Sequence, residues 1–251
     1  KNKNNAAYGN LLQEFETLYT DIEEVAIARD YWSEIVYRNV ELLNASVRLY
    51  RFESKVQKTP EAFETERTKI LNGFKGFYKN YNATLDQEVF KKLVTIYKEE
   101  SPQSYLPASL KNADIAALAQ NIYSSSGLTH MDKMQTLLSG TQEEVLIKRH
   151  EDPGYQFGKS LVDNFYETID PKFQALNLKI KAIQKVYMKA LMETFPDERF
   201  FPDANGTLRV TYGQVKGYQP KDAVMYEPVS YLEGVMEKYN LVTMNSMFLK
   251  N

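Results

Sequence analysis

Residues 11–25 read LLQEFETLYTDIEEV, and their spacing decides the fold class. Leu11, Phe15, Leu18, Ile22 and Val25 step by four and three residues, which places all five on one narrow stripe of an α-helix. Most positions between them are acidic or polar, so the stripe faces another helix and the remainder faces water. The seam continues through Trp32, Val36, Leu43, Val47 and Tyr50 after a phase adjustment near residues 26–30. No proline or glycine interrupts Leu11 to Gln57. Residues 6–56 are therefore expected to be helical, as one bent helix or two nearly continuous ones.

A second seam lies far along the chain. Phe173, Leu176, Ile180, Ile183, Tyr187 and Ala190 alternate three and four in register. The sequence reads as helix from Asp152 to Thr194, with a kink expected at Asp170-Pro171. The two seams are matched in width, so they should pair as a long antiparallel hairpin or within a bundle.

Shorter helices fill the interval. Thr59-Pro60-Glu61 supplies a capping threonine, a proline at the first helical position and a first-turn acid, opening a helix to about Asn80. Gly73 and Gly76 inside it weaken the helix by about 1 kcal/mol each relative to alanine, and a close neighbour is expected there. Thr84 with Gln87 forms a capping box for a helix reaching about Lys98, which Ser101-Pro102 ends. Further helices are expected at 112–123, 130–138 and 141–149, with Thr129 and Thr141 as N-caps of the last two and Glu144 as the box partner of Thr141.

At Phe195-Pro196 the helical period stops. Leu208, Val210 and Tyr212 alternate with Thr207, Arg209 and Thr211, which reads as a half-buried strand, and Tyr231 to Tyr239 reads as one short helix. The expected organisation is a mostly α fold: a helical domain over 1–196, built as a long-helix bundle or antiparallel helical hairpin, then a short β-containing segment over 197–251.

Composition excludes several function classes. The 251 residues are 43% hydrophobic, 25% charged and 13% aromatic, as a packed globular chain requires. Thirty-one lysines and arginines stand against thirty-three acids, for a net charge of −2. That balance offers no basic stripe for phosphates, so no nucleic-acid partner is expected. No apolar run is long enough to span a bilayer. With no cysteine, disulfides, thiolate metal sites and a cysteine nucleophile are excluded. The chain opens on Lys1 without a signal-peptide pattern, and reads as one processed or cut from something longer.

No active site emerges from the residues themselves. His130 reads as first-turn surface chemistry, and His150, at a helix end beside Glu151 and Asp152, suits the negative end of the helix dipole. No His-x-x-x-His or Glu-x-x-His spacing offers a metal site, so neither metal nor cofactor is expected. Ser124-Ser125-Ser126-Gly127 and Ser139-Gly140 lack the Gly-x-Ser-x-Gly turn and a preceding strand. Glu23-Glu24 and Glu143-Glu144 read as solvated helix faces. Gly73-Phe74-Lys75-Gly76 matches the loop of an RNA-binding KH domain by spacing alone, inside a helical pattern. No catalytic residue is assigned.

One stretch is more specific than all of these. Phe201-Pro202-Asp203-Ala204-Asn205-Gly206-Thr207-Leu208-Arg209-Val210-Thr211-Tyr212-Gly213 resembles a signature of the bacterial serine dipeptidyl aminopeptidases known as dipeptidyl-peptidase seven and eleven. The likeness continues through Val215-Lys216-Gly217-Tyr218, Pro220-Lys221-Asp222-Ala223-Val224 and Leu232-Glu233-Gly234-Val235-Met236-Glu237-Lys238. Asp152-Pro153-Gly154, Tyr187-Met188-Lys189-Ala190-Leu191-Met192, Tyr8-Gly9-Asn10-Leu11-Leu12 and Ala28-Arg29-Asp30-Tyr31 also look like that family. The resemblance implies a chymotrypsin-like double β-barrel with a helical domain inserted as a lid over the cleft, exported to the periplasm or cell surface, and releasing dipeptides from peptide N-termini. The implied catalytic His and Asp would precede Lys1, and the serine would follow in a Gly-Asn-Ser-Gly-Ser-Pro motif that this chain does not contain. On this reading the chain carries no triad, and peptides are substrates of the whole protein. Asp203, Asn205 and Arg209 would form a structural network anchoring lid to barrel. A self-standing helical interaction domain descended from such a peptidase is the alternative. A strand cut from its barrel would leave the tail poorly ordered or self-associated as a homodimer.

Overall fold

The computed structural model describes residues 8–201, 206, 208 and 210–237. Contacts divide the chain into a unit spanning 1–198 and a second spanning 199–251. The first is helical. The long N-terminal run is two helices, α1 (Leu11–Trp32) and α2 (Glu41–Lys58), joined by a π-helical stretch at Ser33–Asn39. Val40 separates them, extended at φ −96° and ψ 105°. A wide π turn leaves carbonyls without helical donors; here Asn39 Nδ2 donates to Glu34 O at 2.8 Å and Asn44 Nδ2 to Tyr37 O at 2.6 Å.

The shorter helices are α3 (Phe63–Tyr78), α4 (Ala83–Glu100), α5 (Ala108–Lys111), α6 (Ile115–Ser125), α7 (Met131–Leu137) and α8 (Gln142–Glu151). The Thr141–Glu144 capping box forms as expected. Three expected caps do not. Thr59 makes no capping bond, although Pro60 occupies the first turn. Asn82, not Thr84, caps α4 by accepting from Leu85 N at 3.1 Å, because the helix begins at Ala83 and Thr84 already lies inside it. Thr129 turns its hydroxyl to Ser126 O at 3.0 Å, and His130 takes the position before α7. Nor is the close neighbour expected at Gly73 and Gly76 found among the described residues: a Cβ at either would meet none of them within 4 Å.

Helices α9 (Pro153–Asn164) and α10 (Asp170–Thr194) are joined by a second π stretch, Phe165–Ile169. It lies immediately before Asp170-Pro171, where the sequence places a kink. The proline brings no amide donor to the preceding turn, and widening that turn absorbs the defect without breaking the helix. Trp32 stacks on Phe165 with centroids 4.0 Å apart, and its Nε1 donates to Leu161 O at 3.0 Å. One indole thus ties the two π junctions together.

The two long seams meet as expected. Tyr8 bonds Glu193, Phe15 packs edge-on against Tyr187 at 5.8 Å, Tyr19 accepts from Gln184, and Arg29 sits 4.5 Å from the Phe173 ring centroid. The partner numbers fall as the first numbers rise, which defines an antiparallel α1–α10 arm. Along α1 the stripe runs from buried Leu11 through half-buried Phe15 and Leu18 to Val25, Ala28 and Trp32 in the core. That core is built mainly by α2, α4, α6 and α9 around Leu42, Leu43, Leu49, Phe90, Val94, Ile122 and Tyr155, all fully buried.

In the second unit, Tyr218–Lys221 (β1) and Val224–Tyr226 (β2) pair antiparallel across Asp222-Ala223, with Ala223 at φ +59°. A six-residue helix, α11, follows at Leu232–Glu237. The expected strand at 207–212 is not seen: Leu208, Val210, Thr211 and Tyr212 lie outside any strand and are exposed, and nothing among the described residues offers them a backbone ladder. Thr207 and Arg209 lie outside the described residues.

Candidate functional site

The serines and histidines singled out in the sequence are drawn into structural contacts rather than a catalytic array. Ser124 and Ser125 donate to Asn121 O, and Ser139 to Thr136 O. Ser126 is buried and donates to Asp152 Oδ1 at 2.8 Å, with no imidazole in between. His130 Nδ1 meets only the Thr129 hydroxyl, at 3.0 Å. None of these four serines is hydrogen-bonded to an imidazole, the usual base of a serine nucleophile. Nor do three or more metal-ligating side chains converge among the described residues. Glu23 and Glu143 are exposed, as solvated helix faces should be.

What the helices do assemble is three buried polar centres. The first surrounds Asp86 on α4, which is 3% exposed. Its carboxylate accepts Glu41 N at 2.8 Å and Leu42 N at 3.0 Å, capping α2 from another helix. It also accepts the Tyr123 hydroxyl at 2.6 Å and that of Tyr81 at 3.2 Å. Burial and the Asp86 charge push both phenols well above the usual tyrosine range. Burial, then Asp86, likewise raises Glu41.

The second centre explains Asp152-Pro153-Gly154. Asp152 caps α9 by accepting Tyr155 N at 2.9 Å, and its other oxygen accepts Gly127 N at 2.6 Å. Pro153 occupies the first turn, where its missing amide costs nothing. Gly154 lies against Ser126: a Cβ there would come 2.5 Å from the serine oxygen.

The third centre joins α2 to α8 and α9. Glu53 accepts from His150 Nε2 at 3.1 Å, from Gln57 Nε2 at 3.0 Å and from the Tyr155 hydroxyl. Arg149, fully buried, lies 3.5 Å from the same carboxylate and donates to Leu49 O at 3.2 Å. Burial holds its guanidinium below the usual arginine range. His150 therefore serves a carboxylate on another helix, not only the end of its own. Sequence reasoning passed over Glu53, Asp86 and Arg149. Their one signal was a charged residue on an otherwise apolar face, as with Arg149 four residues after Val145.

Asp203 and Asn205 of the signature, like Arg209, lie outside the described residues. An open cavity of about 920 Å³ lies along the arm between Leu11, Leu18, Ile183 and Val186, and no histidine or serine lines it. Three polar centres thus lie within the mainly apolar core of the helical unit.

Curated relatives include an Asp/Glu-specific dipeptidyl-peptidase of Flavobacterium psychrophilum, 46% identical over 92% of this chain and 33% of the relative. A second Asp/Glu-specific dipeptidyl-peptidase, of Capnocytophaga gingivalis, is 40% identical over 93% of this chain and 33% of its own length. Dipeptidyl-peptidase 7 of Porphyromonas gingivalis is 27% identical over 95% of this chain. The chain thus spans about a third of the length of the relatives it matches. Among solved structures, Porphyromonas endodontalis DPP11 in complex with the dipeptide Arg-Glu shares the fold over 96% of this chain and 35% of its own, with a TM-score of 0.66 at 23% identity. The family model for peptidase S46 matches residues 1–247, and the chain belongs to that family.

Proposed function

We propose that this chain is the helical lid of a serine-type dipeptidyl aminopeptidase, together with a segment returning to the barrel that carries the nucleophile. The observation that carries this reading is the 46% identity to an Asp/Glu-specific dipeptidyl-peptidase over 92% of the chain. The greater likeness to two Asp/Glu-specific relatives than to dipeptidyl-peptidase 7 supports acidic residues at the cleavage site. The substrates are peptides, met at the periplasm or cell surface, and the product is an N-terminal dipeptide. The lid covers the cleft, excludes blocked or bulky N-termini and expels water around the scissile bond. On this reading the triad belongs to the whole protein.

The test compares the full-length protein with this chain on dipeptidyl-naphthylamides bearing Asp, Glu or Leu next to the scissile bond. The full-length protein should hydrolyse the acidic substrates and be silenced by a serine-directed inhibitor, while this chain alone shows no turnover. Inhibitor-sensitive turnover by this chain alone, or a full-length protein inert toward every dipeptidyl substrate, overturns the reading.

A further inference from the structure

A groove of about 290 Å³ runs between α2 and α3, lined by Arg48, Arg51, Lys55 and Lys69 with a single carboxylate, Glu66. Four cations against one acid is a strong local bias in a chain whose net charge is −2. The imbalance sits on the arginines. Glu66 is shared by Lys55 at 3.2 Å and Lys69 at 2.8 Å, and those two bonds hold its carboxyl below the usual range. Arg48 and Arg51 make no ion pair with any described residue. They are braced instead: Arg48 donates from Nε to Asn44 Oδ1 at 2.9 Å and lies 5.5 Å from the Phe77 ring, and Arg51 lies 5.3 Å from the Tyr37 ring. Guanidinium groups held this way keep donors free for a planar anion such as a carboxylate.

The rest of the lining is apolar or empty. Phe52 and Ile70 contribute hydrocarbon, and Gly73 contributes no side chain at all. Glycine in a helix interior weakens it, and among the described residues nothing lies within 4 Å of a Cβ at Gly73 to require one. The bare position leaves the groove open along α3. Its volume lies at the lower edge of small-ligand pockets, about 300 Å³, so it seats one or two side chains of a passing chain rather than enclosing a free ligand. No aromatic ring of the lining is exposed for base stacking, since Phe52 is 4% exposed, which disfavours a nucleic-acid strand.

We propose that this groove is a docking site for an acidic peptide segment, with Arg48 and Arg51 taking its carboxylates and Gly73 leaving room for its backbone. The proposal concerns this chain alone and does not rest on peptidase activity, so the two fail separately. The test is fluorescence anisotropy of this chain with a labelled decapeptide of Asp, Glu and Gly, against a Lys–Gly decapeptide and a single-stranded oligonucleotide of the same length. The acidic peptide should bind, weaken at least tenfold on a fivefold rise in salt, and lose at least tenfold in affinity with Arg48→Gln plus Arg51→Gln. Gly73→Leu is the independent variant. It improves helix propensity and has open space around its Cβ, so it should fold at least as well as the parent while blocking the groove. The proposal is overturned by no binding of the acidic peptide, by equal binding of the lysine peptide or the oligonucleotide, or by unchanged affinity in both variants.

Discussion

The Arg149 guanidinium lies fully buried, 3.5 Å from a carboxylate oxygen of Glu53, while its Nη2 has no hydrogen-bond partner among the described residues. The pair bridges α8 and α2, with Arg149 5.4 Å from the Phe52 ring and 5.3 Å from the Tyr155 ring. A buried ion pair recovers its desolvation cost only with good geometry and full hydrogen bonding; here the bonding is incomplete. Removing one partner should therefore cost more than removing both. Glu53→Ala should destabilise the helical unit by about 3–5 kcal/mol, because it strands the arginine. Glu53→Leu with Arg149→Met should recover most of that loss. Urea unfolding of Glu53→Leu, Arg149→Met and the double closes the cycle, and additive losses would show that the two groups do not act as a pair.

Helices α2 and α9 cross where Gly158 lies against Ser46, whose side chain would collide with any Cβ placed there. Gly158→Ala should cost about 1–3 kcal/mol through overpacking, despite the better helix propensity of alanine. Ser46→Gly in the same chain should return part of that loss. A Gly158→Ala variant as stable as the parent would mean that the crossing is looser than the structure has it.

Much of this was legible in the sequence, and the boundary is physical. The α1–α10 arm could be read because its seams are periodic over many turns, and periodicity survives any detail of packing. The Thr141–Glu144 box could be read because both partners lie within one turn. The Asp86 cap of α2 could not, since donor and acceptor are more than forty positions apart, and their meeting depends on how α4 packs. The π stretches were invisible for a related reason: the Trp32 contacts that tie them together, to Phe165 and Leu161 O, join residues more than a hundred positions apart. The strand at 207–212 was read from alternation alone, and a strand needs a ladder that alternation does not supply.

Five tyrosines predict the alkaline limit of stability. Burial raises Tyr78, Tyr81, Tyr97, Tyr123 and Tyr155 above the usual phenol range, with Asp86 adding to Tyr81 and Tyr123, and Glu53 to Tyr155. The native state therefore holds protons that the unfolded chain releases above about pH 10. With more protons bound in the native state, stability falls as pH rises. The contribution of these phenols is whole below about pH 10 and is lost above it. Phenolate absorbance should show these five of the eighteen tyrosines titrating together with unfolding. A smooth titration of all eighteen, with secondary structure intact, would contradict the burial.

The last prediction concerns the second unit. Leu208, Val210 and Tyr212 are 100%, 83% and 97% exposed, and they alternate along the sequence as one face of a strand would. An apolar alternating segment without a ladder invites pairing with a second copy. The homodimer is therefore expected to form through this segment, and light scattering across a concentration series measures it. Val210→Lys places a charge on the apolar face, and Thr211→Pro removes a backbone donor; either should shift the equilibrium toward monomer without loss of helical circular dichroism. Deleting 197–251 should abolish association and leave a cooperative thermal transition, because the buried seams lie within the first unit. A parent chain monomeric at every concentration, with the amides of 208–212 nonetheless protected from hydrogen exchange, would show that the segment finds its ladder within its own chain.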